Sequence, residues 1–231
     1  MYKIVLIFLA INFLIVPQKK DPDKILLKVV ANFEKIKDYE VDVNIKVDVE
    51  FLKVPESNAK IFFKQPDKIA LKSEGFAMLP KNGFNFSPAS LLKDDYTSIY
   101  EKEEILNDHK TAVIKVIPLG TNADVILSTL WIDEEKNVIR KIESTTKING
   151  TFTIDFSYDE KMNYPLPSKM VFLFNIDKMN LPAGMMGETE TKKKSKISLG
   201  STITKGKVYV NYSNYKVNNG IPDSVFEEEI K

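Results

Sequence analysis

From Glu40 to Phe51 the chain alternates without a break, with Val41, Val43, Ile45, Val47, Val49 and Phe51 on one face and Asp42, Asn44, Lys46, Asp48 and Glu50 on the other. A period of two with one wet face predicts a long strand in an antiparallel sheet whose other face is covered. Upstream the period is helical. Ile25, Val29, Phe33 and Ile36, with Leu26 and Val30 beside them, line one side of a segment opened by Asp21-Pro22-Asp23. Aspartate can cap the free amides and proline fits the first helical position. The spacing therefore predicts one amphipathic helix, fading near Lys37-Asp38 and laid on the sheet. Strand-like runs follow at 61–63 and 69–72, joined at Gln65-Pro66-Asp67, where proline and aspartate fit a tight reversal. A weak strand over Tyr96 to Glu101 comes next, then clearer ones at 111–117, 125–132, 138–147, 152–158, 168–176 and 207–215. Asn149-Gly150 is a hairpin signal. About ten strands with little helix between them point to one antiparallel barrel or sandwich.

The stretch from Gly75 to Leu92 breaks the pattern. Phe76, Met78, Leu79, Phe84, Phe86, Leu91 and Leu92 form an apolar run interrupted by Gly75, Pro80, Gly83 and Pro88, with no period of either kind. Soluble monomers rarely expose such a patch, so the run is expected to cover something apolar. It reads as a flap over a hydrophobic cavity, with Ser87-Pro88 starting a short helix through Leu92. Phe63, Leu71, Phe76, Met78, Phe84, Phe86, Leu91 and Leu92 are the candidate cavity or lid residues, with Val43, Ile45 and Val47 on the wall. Barrels of this strand number either fill their interior or hold one ligand, and periodicity leaves both open.

The composition narrows the function classes. The 231 residues carry 33 Lys+Arg against 32 Asp+Glu, a formal charge of +1, which does not suit a nucleic-acid partner. Arg140 is the one arginine, so bidentate phosphate or carboxylate recognition is poorly provided for. Cysteine is absent, which removes disulfides, thiolate metal sites and a cysteine nucleophile together. The lone His109, in Asn107-Asp108-His109-Lys110, reads as part of a turn. There is no GxSxG motif and no Gly-rich phosphate loop, so no enzyme, metal or cofactor is supported. Lys3 precedes an apolar segment from Ile4 to Val16, which fits the core of an export signal and is short for a membrane span. Residues 1–20 are thus expected to direct export, and 21–231 to form a single domain. Residues 183–205, rich in Gly, Thr, Ser and Lys, read as a mobile polar loop.

The order of these elements resembles the LolA-like family, periplasmic carriers that move lipoproteins toward the outer membrane. The matching features are the export signal, the helix ILLKVVANFEKIKDYE at 25–40 and the alternating strand at 41–51. AKIFFKQPDKIALKS at 59–73 and WIDEEKNVIRKIE at 131–143 match as well. The resemblance implies an incomplete, half-open antiparallel β-barrel in the α+β class, lidded by helices over an apolar cavity. It also implies acyl chains of lipoproteins, or another lipid, as ligand, membrane-bound donor and acceptor proteins as partners, and a monomer. Family members of the best-known type carry an arginine just before the turn proline, which latches the lid. Here Gln65 stands in that place with Lys64 before it, and these two are the latch candidates. A lipid-sensing regulatory module on the same scaffold, or a structural β protein with a filled core, are the alternatives.

Overall fold

The computed structural model describes residues 20–49, 54–73, 92, 95–120, 124–147, 150–177 and 203–227. Helix α1 (Pro22–Phe33) starts as the sequence predicts: Asp21 accepts from the backbone amides of Asp23 and Lys24, at 3.1 and 3.3 Å, and Pro22 takes the first turn. The strands follow as β1 (Asp38–Val49), β2 (Ser57–Lys64), β3 (Lys68–Ser73), β4 (Tyr96–Leu106) and β5 (His109–Pro118), then β6 (Val125–Asp133), β7 (Val138–Thr146), β8 (Thr151–Tyr158), β9 (Pro167–Asp177) and β10 (Ile203–Val217). A 3-10 turn at Asp223–Phe226 follows β10.

All ten strands join one antiparallel sheet in the order β3-β2-β1-β10-β9-β8-β7-β6-β5-β4. β3 and β4 are its two edges, so the sheet is a barrel left open along one side. The chain that links these edges runs from 74 to 95 and contains the flap of the sequence reading. Within it only Leu92 and Asp95 belong to the described residues, and the expected lid helix lies outside them.

Cross-strand register explains the concave face. Tyr100, Ile114, Leu130 and Ile142 stand opposite one another from β4 to β7. Ile154, Phe172, Val208 and Val47 continue that row across β8, β9, β10 and β1. A parallel row runs Phe156, Met170, Val210, Ile45. Most of these side chains belong to one core cluster, which also takes in Ile25, Leu26 and Val29 of α1. The helix thus lies over the sheet with its apolar stripe inward. Its far end rests on a second cluster of Phe33, Ile36, Phe63 and Leu166.

Three boundaries differ from the sequence expectation. The helix stops at Phe33, and Ile36 is buried from the turn beyond it, so the apolar period outlasts the helix. β4 is long, reaching Leu106 instead of fading at Glu101. Its charged run is an edge strand held by ion pairs to β5, Glu101 with Lys115 at 3.1 Å and Glu103 with Lys110 at 2.8 Å. Asn107 and Asp108, both at positive φ (47° and 65°), then turn the hairpin. β10 begins at Ile203, so the last three residues of the 183–205 loop pair with β9, and residues 183–202 lie outside the described residues.

Candidate ligand cavity

Between Phe33 at the end of α1, the segment Pro165–Pro167 and the sheet is a void of about 40 Å³, bounded mainly by Tyr39, Phe156, Tyr158, Met170, Tyr212 and Tyr215. Burial holds the hydroxyls of all four tyrosines well above the usual phenol range. Each tyrosine also keeps some accessible area and lines the void. Tyr158 donates to the carbonyl of Ile139 at 2.7 Å and Tyr215 to that of Pro167 at 2.8 Å. Among the described residues Tyr212 reaches only the thioether of Met170, 3.9 Å away, which is a weak acceptor.

A bulge places two of these rings. Tyr212 and Tyr215 are three apart, a spacing that an unbroken strand would send to opposite faces. The register of β10 on β1 slips between Glu40 and Asp42, and Asn214 sits there at φ 55°. The extra residue returns Tyr215 to the inner face, where its ring stacks on Tyr212 at 6.1 Å and meets Tyr39 at 5.8 Å.

The helix over this void is fastened at both ends. The Gln65 side-chain amide donates to the carbonyls of Glu34 and Ile36, at 3.2 and 2.6 Å, just past the end of α1. Its backbone amide donates to Lys37 at 2.9 Å, and the Gln65–Pro66 peptide is cis. Lys64 donates to the Ile221 carbonyl at 2.9 Å and pairs with Asp223 at 2.8 Å, which Lys68 also reaches at 3.1 Å. Asn218 accepts from the Lys37 amide and donates to the Lys35 carbonyl. The end of α1, the β2–β3 turn and the segment after β10 therefore form one polar clasp. At the other end Lys20 bridges Glu103 and Glu134, and these two bonds hold the Lys20 ammonium well above its usual range. In the last turn of α1, Asn32 also donates to the Lys136 carbonyl in the β6–β7 turn at 2.9 Å.

Gln65→Ala removes two side-chain bonds from the clasp. Each is worth roughly 0.5–1.5 kcal/mol net, so a loss of about 1–3 kcal/mol in urea unfolding is expected. Amide exchange at residues 34–37 should also rise. Unchanged exchange there would show that Gln65 does not hold the helix end.

The structure brings together part of the candidate set. Val43 and Ile45 are buried on the concave face and Val47 partly so. Leu71 stands opposite Ile61 at the β3 edge, and Leu92 packs against the main core. Phe63 lies under the end of α1, behind the lining residues Phe33 and Tyr39 and not on the void itself. Phe76, Met78, Phe84, Phe86 and Leu91 lie outside the described residues. The sequence puts Tyr158 and Tyr212 on the apolar faces of their strands, but none of the four tyrosines stands among the candidate site residues. Tyr39 shares the parity of Val41 and precedes the expected strand start by one residue. For Tyr215 the only signal was Asn214, a residue that tolerates positive φ. A larger groove of about 420 Å³ crosses the outer face, but its walls include Asn44, Lys46, Asp48 and Lys169 and suit no apolar chain. Among the described residues no cluster of His, Cys, Asp and Glu could hold a metal ion, and no helix is long and apolar enough to cross a membrane.

No family model matches the sequence, and no curated protein matches it either. Solved structures do match. A DUF1329 family protein from Desulfovibrio piger superposes with a TM-score of 0.56 at 11% identity, covering 90% of this chain and 98% of that one. The LolA superfamily protein NE2245 from Nitrosomonas europaea gives 0.54 at 11% identity, covering 91% and 99%. The fold is LolA-like. A putative outer membrane lipoprotein-sorting protein domain from Vibrio parahaemolyticus gives 0.52 at 13% identity, covering 88% and 94%. At such identities it is the LolA-like fold that is shared, a half-open sheet carrying a helix on its inner face.

Proposed function

We propose that this protein is an exported, periplasmic carrier that shields the acyl chains of lipoproteins, or of another lipid, between the concave sheet and α1. On this reading it works as a monomer without a cofactor, loading from one membrane-bound protein and delivering to another. The observation that supports it most is an open ten-stranded sheet, apolar over its concave face, with an aromatic-lined void beneath a clasped helix. Two of the similar structures are described as a LolA superfamily protein and a lipoprotein-sorting domain, which agrees with it.

The void of about 40 Å³ is several-fold smaller than the roughly 300–1,000 Å³ of occupied ligand sites. Loading therefore requires α1 to lift from the sheet. Burying acyl methylenes contributes roughly 0.8 kcal/mol each, on the order of 10 kcal/mol gross for one long chain. Lifting the helix and ordering the cargo consume part of that. The remainder holds a lipidated protein in water and still permits transfer to a better-fitting receptor.

The test is release. Incubated with membranes that hold a lipidated passenger protein, the carrier is expected to bring passenger into the soluble fraction, and mass spectrometry of extracts should find bound lipid. No extracted lipid and no saturable uptake of a fluorescent fatty acid would leave a filled-core structural protein.

A further inference from the structure

The concave wall is not uniformly apolar. Ser128 of β6 and Ser144 of β7 stand directly opposite each other on it, only 3% and 1% exposed. Their hydroxyl oxygens are 2.7 Å apart. Each hydroxyl has one proton and two lone pairs, and a pair uses one of its two protons on the other member. The second O–H is left without an acceptor among the described residues.

The surroundings make this expensive. In the same cross-strand row the neighbours are Val116 on one side and Phe152 on the other. The next row holds Leu130 and Ile142, both fully buried. An orphan donor in such a wall is disfavoured, whereas two alanines or valines would fill the same place without one. The pair also lies close to the rim, since β6 starts at Val125, just before Ser128, and β7 ends at Thr146, just after Ser144. From the pair inward the wall is apolar, and Phe152, Phe172 and Phe174 form a ring group with centroids 5.3 and 5.1 Å apart.

We infer that the Ser128–Ser144 pair is a binding site for the neutral ester carbonyl of the cargo's acyl chains. This rests on the carrier reading and narrows its cargo to ester-linked glycerolipid chains. A carbonyl supplies the missing acceptor. Being uncharged, it enters an apolar wall at far lower desolvation cost than a carboxylate. It also joins the chain where the position near the rim needs it, with the glycerol end outward and the methylenes running in along Leu130, Ile142 and Ile154.

The experiment compares two probes of equal chain length, dioctanoylglycerol with ester links and dioctylglycerol with ether links, each displacing a fluorescent fatty acid from the full chain. The wild type is expected to bind the ester about fivefold more tightly, the effect of one neutral hydrogen bond. Ser128→Ala combined with Ser144→Ala should bring the ester down to the ether's affinity and leave the ether within about twofold. Equal binding of both probes by the wild type overturns the inference and spares the carrier reading, as does a preference that survives in the double variant. Binding of neither probe, with no fatty-acid uptake, overturns both. The wild-type comparison stands even where the double variant fails to fold.

Discussion

Phe63→Ala is expected to cost about 3–5 kcal/mol of folding stability and to release the end of α1 at the same time. The Phe63 ring is almost completely buried, stacked on Tyr39 at 5.1 Å and edge-on to Phe33 of α1 at 5.6 Å. Ile36 and Leu166 complete the cluster. Parity puts it there: Ala59, Ile61 and Phe63 are the inward positions of β2, and Phe63 is the one nearest the β2–β3 turn. Removing the ring leaves a hole between helix and sheet. Phe33, fixed on the helix, and Tyr39, fixed on β1, can collapse into it only in part, so a cavity penalty adds to the lost transfer energy. Phe63→Leu keeps most of the volume and should cost under about 1.5 kcal/mol. Urea unfolding measures the loss. Exchange of a bound fluorescent fatty acid measures the release, and it should be faster in Phe63→Ala than in Phe63→Leu. A loss below about 1 kcal/mol in the alanine variant would show that this cluster does not hold the helix down.

Much of the scaffold was legible because one face of nearly every element is wet. The alternation from Val41 to Val49 fixed the parity of β1, and the wall positions Val43 and Ile45 followed from it. The cap at Asp21-Pro22 and the stripe of Ile25, Val29 and Phe33 located α1. What failed to read were features set by pairing. The charged residues of β4 look like a solvated run in sequence. They make a strand because their backbone pairs along β5, where Lys110 and Lys115 reach Glu103 and Glu101 diagonally across the ladder. Tyr215 enters the cavity only because a bulge resets parity, and a bulge is a property of two strands together. Gln65 is similar. Its position before the turn proline was visible, but its bonds go to the carbonyls of Glu34 and Ile36, 29 to 31 residues away. The irregular apolar stretch after Gly75 was visible as an anomaly, and the sheet order adds that the chain there must connect the two open edges.

Asp133→Ala is expected to cost a further class of energy, about 3–5 kcal/mol, by stranding a buried charge. Arg140 and Asp133 are both buried where β6 turns into β7. The guanidinium Nε donates to Oδ2 of Asp133 at 2.9 Å, and Nη2 lies 2.8 Å from the same oxygen as an ion-pair contact. The other carboxylate oxygen accepts from the amides of Glu135 and Lys136, at 2.9 and 3.1 Å, and so shapes the turn. Burial pushes the Asp133 carboxyl up, but the Lys136 amide, the Arg140 guanidinium and the Glu135 amide outweigh it and hold it below the usual aspartate range. A carboxyl with a lowered folded-state pKa contributes its full stability above its unfolded-state value and loses it as pH falls through the folded-state value. The acid limb of the wild-type stability profile should therefore be steeper than that of Asp133→Ala, with the two curves converging at low pH. Replacing both partners, Asp133→Leu with Arg140→Met, removes two desolvated charges together and should recover most of the loss at neutral pH. A single variant as stable as the wild type would mean that the pair contributes nothing net. The effect should reach the cavity too. The same turn offers the carbonyls of Lys136 and Asn137 to Asn32 of α1, at 2.9 and 3.3 Å. Once Asp133 no longer shapes the turn, the last turn of the helix loses this tie to the sheet, and ligand exchange in Asp133→Ala should quicken although the substitution lies outside the void.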